Sequence, residues 1–441
     1  MNGTAILAVT CLMSASLAFA EKPTYAGPVE AKEVRVRDGI GHVVRKLRSG
    51  QPVSIAYFGG SITEADGWRL LYREWLQQTY PGCAIREIPA AIGGTDSGLG
   101  VFRFRRDVLS HKPDLIFVEF ATNDSGLSPE TIWERFDGFI RQAWQTDPET
   151  DFVFVYTITS PMMGDYGVGK CPCAASAMEQ IADHYGIPSI GFGPRVAAEV
   201  KAGRLVMSLG EIVTAVPKAA PDRDARINAE LEKQGKMLFA RDGTHPALPG
   251  HGLYLKSVQA AWKAMKGLPP ADHAKKLAAP FYSARLEAAK MVPIAAEMCR
   301  GSWKKLPPDD PNQRNFEKRG GQMWMTGTPG DKLVFRFRGS ECGLYDVMGP
   351  DCGQLLIKVD GVPWRTPRSR FDSFCTYYRL AGFTVFRGEE GIHEVEIEVD
   401  RQQPDRKELL TRHPEEDVSL DKYNGTKFFV CQIEIVGELV K

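Results

Sequence analysis

The sequence lacks an excess of charge of either sign. Its 441 residues include 55 lysines and arginines and 55 aspartates and glutamates. Because nucleic acids and anionic membranes attract basic proteins, this balance removes the electrostatic argument for either partner. After residue 20 the sequence also lacks an apolar run long enough to cross a bilayer. We therefore expect no nucleic-acid partner and no membrane span, and we favour a neutral or locally patterned ligand.

The N-terminal segment lacks lysine and arginine ahead of its apolar run, which is unusual for a signal peptide. Residues 1–20 nevertheless form an apolar stretch that ends in Ala18-Phe19-Ala20, the small-x-small pattern of a signal-peptidase site. The alternative is a buried first helix. We expect a signal peptide over 1–20 and a secreted or periplasmic protein. Surface association through Cys11 is open but disfavoured, because the bulky Val9 and Thr10 precede it.

Cysteine pairs at the usual zinc-binding spacing are also missing. Cys171-Pro172-Cys173 is too closely spaced, and no second Cys or His pair lies nearby. Nine cysteines less Cys11 leave eight, an even number that is compatible with disulfides in an oxidising compartment. We expect a structural or disulfide role for Cys171 and Cys173, and we expect no metal and no cofactor.

Short strands alternate with amphipathic helices over residues 21–266, and this alternation predicts a doubly wound parallel α/β sheet. Residues 195–239 interrupt it with a charged, partly helical excursion, which we expect to cover an active-site cleft. The predicted strands are 53–58, 85–88, 114–120, 152–158 and 187–191. The predicted helices are 39–47, 68–80, 101–109, 128–144, 174–185 and 250–265.

The C-terminal third has a different pattern. Residues 267–300 are rich in Pro, Lys and Ala in their first half and are predicted to form a connector. Over 301–441, alternating apolar and polar runs at 332–338, 355–359 and 393–399 are separated by Gly, Pro and Asp turns. This pattern predicts an all-β module, most simply a jelly-roll-like sandwich. The module either contacts carbohydrate or completes the cleft, or it is only a packing partner that stabilises the first domain.

Two pieces of the sequence suggest a serine hydrolase. Gly59-Gly60-Ser61 directly follows a predicted strand, where a tight turn holds a hydroxyl at the carboxyl edge of a sheet. Asp242-Gly243-Thr244-His245 supplies a histidine that could take the serine proton and a carboxylate that could orient it. Each piece alone is also typical of an ordinary turn or cap.

Four short blocks follow one another in a fixed order along the chain. They are Gly59-Gly60-Ser61-Ile62-Thr63, Ile92-Gly93-Gly94-Thr95, Ala121-Thr122-Asn123-Asp124 and Asp242-Gly243-Thr244-His245. Together these blocks resemble the SGNH/GDSL hydrolase family over residues 50–265. The resemblance implies a three-layer flavodoxin-like fold, Ser61 as nucleophile, His245 as general base and Asp242 as its orienter. It also implies an oxyanion hole formed by the Ser61 N–H, Gly94 and Asn123.

This chain departs from the family pattern at two positions. Gly60 stands where the name-giving motif has Asp, and Pro89 stands where many members place Asn ahead of the second block. Neither change removes a group that the resemblance assigns to catalysis. Both affect the expected geometry of the loops and the shape of the pocket.

A secreted enzyme of this kind with a C-terminal β-sandwich resembles carbohydrate esterases that remove O-acetyl groups from a glycan. An acetylated glycan is therefore the expected substrate. The alternatives are a lipid or short-chain acyl esterase or thioesterase, or an inactive glycan-binding protein. Four side chains near the blocks are candidate sugar contacts, although helix packing or loop ion pairs would explain them equally well. They are Trp68, Asp96, Arg103 and Asp124.

Overall fold

The computed structural model describes residues 22–209, 223–413 and 415–440. The predicted signal peptide and residues 210–222 of the excursion lie outside the described residues. The helices are α1 (Gly41–Arg48), α2 (Ser61–Glu64), α3 (Trp68–Thr79), α4 (Ser97–Asp107), α5 (Pro129–Thr146), α6 (Met163–Gly167), α7 (Cys173–Tyr185), α8 (Gly193–Lys201), α9 (Arg223–Lys233), α10 (Leu248–Met265), α11 (His273–Lys276), α12 (Pro311–Gly320) and α13 (Arg406–Leu409).

The strands divide between the two halves of the chain. Those of the first half are β1 (Val34–Arg35), β2 (Val53–Gly59), β3 (Ile85–Pro89), β4 (Leu115–Glu119), β5 (Asp151–Tyr156), β6 (Ser189–Gly191), β7 (Leu205–Val206) and β8 (Met237–Leu238). Those of the second half are β9 (Ala289–Pro293), β10 (Cys299–Arg300), β11 (Lys304–Lys305), β12 (Trp324–Thr326), β13 (Lys332–Met348), β14 (Gln354–Val359), β15 (Val362–Pro363), β16 (Arg368–Ser369), β17 (Arg379–Val399) and β18 (Phe428–Val440).

In the described residues, six strands form the first sheet in the order β1-β6-β5-β4-β2-β3. Strands β2 to β6 are parallel, and only β1 runs antiparallel to its neighbour β6. One core cluster joins α4, α5 and α7 to one face, and a second joins α1, α3 and α10 to the other. The predicted doubly wound, three-layer α/β fold is confirmed. The order in which strands are added reverses at β2, because β3 lies on one side of it and β4 on the other. Such sheets have a crevice at this point, at the carboxyl ends of the strands.

Local sequence signals explain where the helices around this sheet begin and end. Ser128 caps α5 by accepting the Thr131 N–H, and Pro129 occupies the first helical position, as predicted. Gly186 ends α7 in the left-handed region at φ 71°. Helix α4 begins four residues earlier than predicted, because the Asp96 side chain caps it by accepting the N–H groups of Gly98 and Leu99.

The second half of the described chain forms one antiparallel sheet of ten strands, confirming the β-rich module. Its centre is the long pair β13 and β17, of 17 and 21 residues, whose register shifts at bulges. Strands β9 and β10 join this sheet by pairing with β18 and β13. Both lie in the segment predicted as a connector, so the second half of that segment is part of the β-rich module.

The excursion predicted over residues 195–239 lies partly within the described residues. Its described parts include α9 and the short parallel pair β7 and β8. That the excursion covers a cleft stays a prediction.

All eight described cysteines are unpaired, so the disulfide alternative for Cys171 and Cys173 is wrong in this structure. Cys171 is buried against the first core. Within the described ranges, no helix has the length and apolar character needed to span a membrane.

Candidate active site

Ser61 is the first residue of α2, directly after the carboxyl end of β2. The two preceding glycines allow this turn to pack against the neighbouring strand β4. A Cβ at Gly59 would lie 2.3 Å from the Glu119 carbonyl oxygen, and one at Gly60 would lie 2.1 Å from Asn123 Oδ1. The glycine that departs from the commonest family motif therefore makes room for the Asn123 amide next to the serine.

The structure brings together the three residues predicted as a triad. Ser61 Oγ lies 2.8 Å from His245 Nε2, and His245 Nδ1 lies 2.6 Å from Asp242 Oδ2. With the Nδ1 proton donated to the carboxylate, Nε2 presents its lone pair to the serine hydroxyl. This arrangement can remove a proton from Ser61 when the hydroxyl oxygen attacks a carbonyl carbon.

Asp242 is held in its ionised form by its neighbours. Partial burial opposes ionisation, but hydrogen bonds from the His245 ring and from the His245 and Thr244 N–H groups outweigh it. They lower the pKa of Asp242 to about 2. Both N–H groups donate to Oδ1 at 2.9 Å, which leaves Oδ2 for the imidazole. The carboxylate is therefore charged at neutral pH and oriented by the backbone of its own loop.

The His245 loop is fixed to the end of β5 through Gly243. Ser160 N–H donates to the Gly243 carbonyl at 2.7 Å. Gly243 has φ +75°, and a Cβ there would lie 2.3 Å from Ser160 Oγ. A glycine is required at this position for both reasons. The loop is otherwise open to solvent, since the His245 and Asp242 side chains are 52% and 53% exposed.

The predicted oxyanion donors lie at the carboxyl ends of three neighbouring strands. Ser61 follows β2, Gly94 follows β3 and Asn123 follows β4. Gly94 is exposed with φ +71°, and Asn123 is half-buried against Gly60. The Ser61 and Gly94 N–H groups and the Asn123 side-chain amide donate no hydrogen bond to the described residues. They are available to a ligand oxygen, as an oxyanion hole requires.

Glu64 is a residue of the site that the sequence reasoning missed. One of its carboxylate oxygens accepts the Gly93 N–H at 2.7 Å, and the other pairs with Arg319 of α12 in the β-rich module. It thereby joins the nucleophile helix to the loop that carries Gly94. The Ser61-x-x-Glu64 spacing is a signal of a capping box, but the structure directs Glu64 to a different loop.

Two of the predicted sugar contacts are wrong because their side chains are completely buried. Trp68 lies in the second core, with edge-to-face ring contacts to Tyr57 and Phe117. Arg103 is 0% exposed, donates to the Ala90 carbonyl and lies 4.5 Å from the Phe58 ring centroid. Proximity to the motifs along the chain did not indicate which way these helical residues face.

Asp124 is a third wrong contact. Its side chain is 0% exposed, and one oxygen accepts the Ser97 N–H at 3.0 Å, which ties α4 to the Asn123 loop. Burial raises the pKa of Asp124 to about 6, against the lowering effect of the bonds from Ser97. Asp96 differs because it is partly exposed, pairs with Arg135 at 3.1 Å and lines a cavity. Its contact with sugar stays a prediction.

Two cavities flank the triad. The larger, of about 550 Å³, begins at Gly94 and runs between the α/β domain and the β-rich module. The smaller, of about 360 Å³, is lined by Thr122, Ser125 and Thr244, next to Asn123 and His245. Charged side chains from both halves of the chain line the larger cavity. They include Asp96, Glu134 and Arg135 on one side and Arg368, Arg379 and Arg387 on the other.

Among the described residues, one group has ligand atoms close enough for a metal ion: His42, Asp151 and His273. Asp151 begins β5, so the group lies at the amino edge of the sheet, opposite Ser61. Its contacts are those of a packed core, since His273 stacks on Trp144 with centroids 4.4 Å apart and Asp151 accepts the Val43 N–H at 2.8 Å. The group connects the segment after α10 to the sheet.

Comparison with known proteins gives a family match for part of the chain and similar folds over most of it. Residues 57–252 match the GDSL-like Lipase/Acylhydrolase family. Two solved structures of a two-domain esterase active on acetylated mannans, one co-crystallised with mannopentaose, are similar over both halves of the chain. The mannopentaose structure has a TM-score of 0.66 at 19% identity, covering 93% of this chain and 100% of that one. The other has a TM-score of 0.63 at 20% identity, covering 92% and 99%. No curated protein sequence matches.

Proposed function

Because residues 57–252 form a GDSL/SGNH hydrolase domain, we propose that this protein is a serine esterase that removes O-acetyl groups from a carbohydrate or polysaccharide. The observation that carries the proposal is the hydrogen-bonded series from Ser61 through His245 to Asp242, beside three N–H donors that bond to none of the described residues. A hydroxyl made nucleophilic by a base and a preformed oxyanion site together favour acyl transfer.

In the proposed reaction, Ser61 Oγ attacks the acetyl carbonyl carbon while His245 Nε2 accepts the hydroxyl proton. The Ser61 and Gly94 N–H groups and the Asn123 amide bind the oxyanion of the tetrahedral intermediate. Collapse breaks the ester bond, and His245 returns its proton to the departing sugar oxygen. Water then attacks the acetyl-Ser61 ester with His245 as base, which releases acetate and restores the serine. Asp242 stabilises the imidazolium in both steps.

The substrate class is supported by the surroundings of the serine. A long acyl chain needs an apolar channel, whereas the larger cavity beside Gly94 is lined by arginines and carboxylates. Such groups suit the hydroxyls of a sugar chain. The half-exposed triad is accessible to a polymer, and an esterase with a similar fold is active on acetylated mannans.

We propose secretion or export with removal of residues 1–20, because polysaccharide substrates are found outside the cytoplasm.

Acetate release from acetylated glucomannan and acetylated xylan tests the proposal. We expect release by the parent protein and loss of at least a thousandfold in Ser61→Ala. Ser110→Ala is the matched control, since its exposed hydroxyl bonds only to the Arg106 carbonyl and lies outside the site. Equal release by the parent and Ser61→Ala would overturn the mechanism.

A series of nitrophenyl esters tests the acyl group. We expect the highest kcat/KM on acetate and a decline with chain length, because charged side chains line the larger cavity beside Gly94. A strong preference for long chains would favour the lipid esterase alternative. Glycan binding without any ester cleavage would favour the inactive glycan-binding alternative.

A further inference from the structure

Glu119 is a buried carboxyl group that the proposed mechanism does not use. It is the last residue of β4, and its side chain is 0% exposed beneath the Ser61 turn. Burying a carboxyl is costly unless hydrogen bonds or a counter-charge compensate. No ion pair joins Glu119 to a cation in the described part of the chain; its partners are hydroxyl groups.

One of these hydroxyl groups belongs to the helix that carries Ser61, and the other is linked to the Asn123 loop through a third threonine. Glu119 Oε2 accepts a hydrogen bond from Thr63 Oγ1 at 3.0 Å, and Thr63 lies two residues after Ser61 in α2. Glu119 Oε1 accepts one from Thr157 Oγ1 at 2.8 Å. Thr157 Oγ1 lies 2.7 Å from the hydroxyl of Thr122, the residue before Asn123. One carboxyl therefore connects the nucleophile helix to the Asn123 loop.

The ionised form of Glu119 fixes the direction of these hydrogen bonds. An ionised carboxylate can only accept, so in that form Thr63 and Thr157 both donate to Glu119. A threonine hydroxyl has one hydrogen, and Thr157 then uses it on Glu119, so Thr122 donates to Thr157. In either protonation state, breaking a member of this chain of bonds leaves a buried polar atom without its partner.

The backbone of Glu119 supports the same turn. Its carbonyl oxygen accepts the Gly60 N–H at 3.3 Å, one residue before the nucleophile. The close approach of Gly59 to this oxygen leaves no space for a side chain. Above the turn, Asn123 packs against Gly60. The turn that presents Ser61 is therefore enclosed between Asn123 on one side and Glu119 on the other.

We infer that Glu119 is a positioning residue, which holds the Ser61 turn and the Asn123 loop at the separation that the reacting carbonyl requires. The inference rests on the proposed function, because the separation matters only if Ser61 attacks a carbonyl whose oxygen Asn123 binds. Small displacements of reacting groups cost much more rate than stability. The effect of Glu119 should therefore appear in kcat rather than in KM.

The test compares Glu119→Ala, Glu119→Gln, Thr63→Val and Thr157→Val on nitrophenyl acetate, with the acyl-enzyme burst used to count active sites. We expect Glu119→Ala to lower kcat per active site by roughly 10- to 100-fold with KM nearly unchanged. Glu119→Gln should recover most of the rate, because the amide accepts from one threonine and donates to the other. Glu119→Ala and Thr63→Val should be non-additive, since they remove the same connection.

Thr150→Val is the matched control for the threonine variants. The Thr150 hydroxyl is also buried and donates to the Pro113 carbonyl at 3.0 Å, but it lies beside the amino end of β5, away from Ser61. It should lower Tm and leave kcat unchanged. If Glu119→Ala fails to fold, Thr63→Val and Thr157→Val decide the matter.

A lower Tm with unchanged kcat per active site in these variants would overturn the inference, as would a Glu119→Gln variant no faster than Glu119→Ala. Equal ester cleavage by the parent protein and by Ser61→Ala, by contrast, would refute the proposed function itself. The two failures are therefore distinguishable.

Discussion

Two carboxyl groups on opposite sides of Ser61 have opposite electrostatic behaviour. Asp242 is half-exposed on the outer side, and its hydrogen bonds overcome partial burial and lower its pKa to about 2. Glu119 is fully buried on the inner side. Burial raises its pKa to about 7, although bonds from Thr157, Thr63 and Gly60 act in the other direction. The two pKa values differ because of solvent access and the hydrogen-bond donors around each carboxyl group, rather than because of residue type.

The difference matches the two tasks that we assign to these groups. Asp242 must be charged to stabilise the imidazolium of His245. Glu119 only has to accept hydrogen bonds, and a full permanent charge beneath the site would oppose the negative charge that develops on the substrate oxygen. The like charge of Asp124 adds to the rise and also favours the neutral form of Glu119. The outer carboxyl acts through its charge, and the inner one through its geometry.

Asp242→Asn removes the charge on the outer side and should have the largest effect. We expect kcat on nitrophenyl acetate to fall by about 10⁴-fold, because the amide can no longer fix the productive tautomer of His245. Tm at neutral pH should fall modestly, since the Asn oxygen can still accept the N–H groups of Thr244 and His245 but the stabilisation from the carboxylate charge is lost. Asp309→Asn, in an exposed turn of the β-rich module, is the charge-matched control and should keep full activity. A loss below tenfold would contradict the assigned role.

Asn123→Ala tests whether the amide between the two carboxyl groups is an oxyanion donor. Removal of one such donor typically lowers kcat by about 10²- to 10³-fold, with little change in KM. The free amide and its position beside Gly60 lead us to expect a loss in this range. Steady-state kinetics on a soluble acetate ester gives both constants. A rise in KM at constant kcat would instead mean that Asn123 binds the ground state only.

Much of this architecture is readable from the sequence because it is local. Strand Val53–Gly59 and the Gly-Gly-Ser turn are adjacent along the chain, and so are Ser128 and the helix that it caps. Three of the motif blocks follow β2, β3 and β4, so the parallel sheet brings them to one edge. Asp242 and His245 were predicted from their own spacing and from the family resemblance, and the structure brings them within hydrogen-bonding distance of Ser61 and of each other.

The rest depends on contacts between distant parts of the chain. Glu119 bonds to a threonine 56 residues earlier and to another 38 residues later, and no local pattern connects them. Strand β9 pairs with β18 at the far end of the chain, which a propensity argument cannot reveal. The burial of Trp68, Arg103 and Asp124 likewise follows from tertiary packing, which closeness to the motif blocks along the chain does not reveal.

The pH dependence of stability sharpens the comparison between the two carboxyl groups. Because burial raises the pKa of Glu119 from 4.5 to about 7, the native state binds this proton more tightly than the unfolded state. The free energy of unfolding should therefore fall as the pH rises from about 4.5 to 7, by up to about 3 kcal/mol. Glutamine at position 119 does not titrate, so the free energy of unfolding of Glu119→Gln should not fall in this way. The stability of this variant relative to the parent should therefore increase over that pH range. Urea denaturation at a series of pH values measures the difference.

Asp242→Asn provides the control with the opposite sign. The lowered pKa of Asp242 gives a stabilisation that is complete above about pH 4 and is lost as the pH falls towards 2. The stability curve of Asp242→Asn should therefore differ in shape from that of the parent only in this acid range. Parallel curves for Glu119→Gln and the parent between pH 4.5 and 7 would contradict the assigned behaviour of Glu119.

The smallest expected effect concerns Arg319, through which the β-rich module contacts the outer side of the site. Arg319 pairs with Glu64, whose second oxygen holds the Gly93 N–H at 2.7 Å. Arg319 is 45% exposed, so the pair is screened and contributes about 0–1 kcal/mol. We expect Arg319→Gln to lower kcat only about two- to fivefold, and the parent should lose this advantage at high salt, where the ion pair is screened. Lys318→Gln, the exposed neighbour on the same helix, is the charge-matched control. If Arg319→Gln and Lys318→Gln have the same kcat, the β-rich module stabilises the enzyme domain without acting on the Gly94 loop. A salt-sensitive loss of kcat in Arg319→Gln alone would instead make the module part of the site.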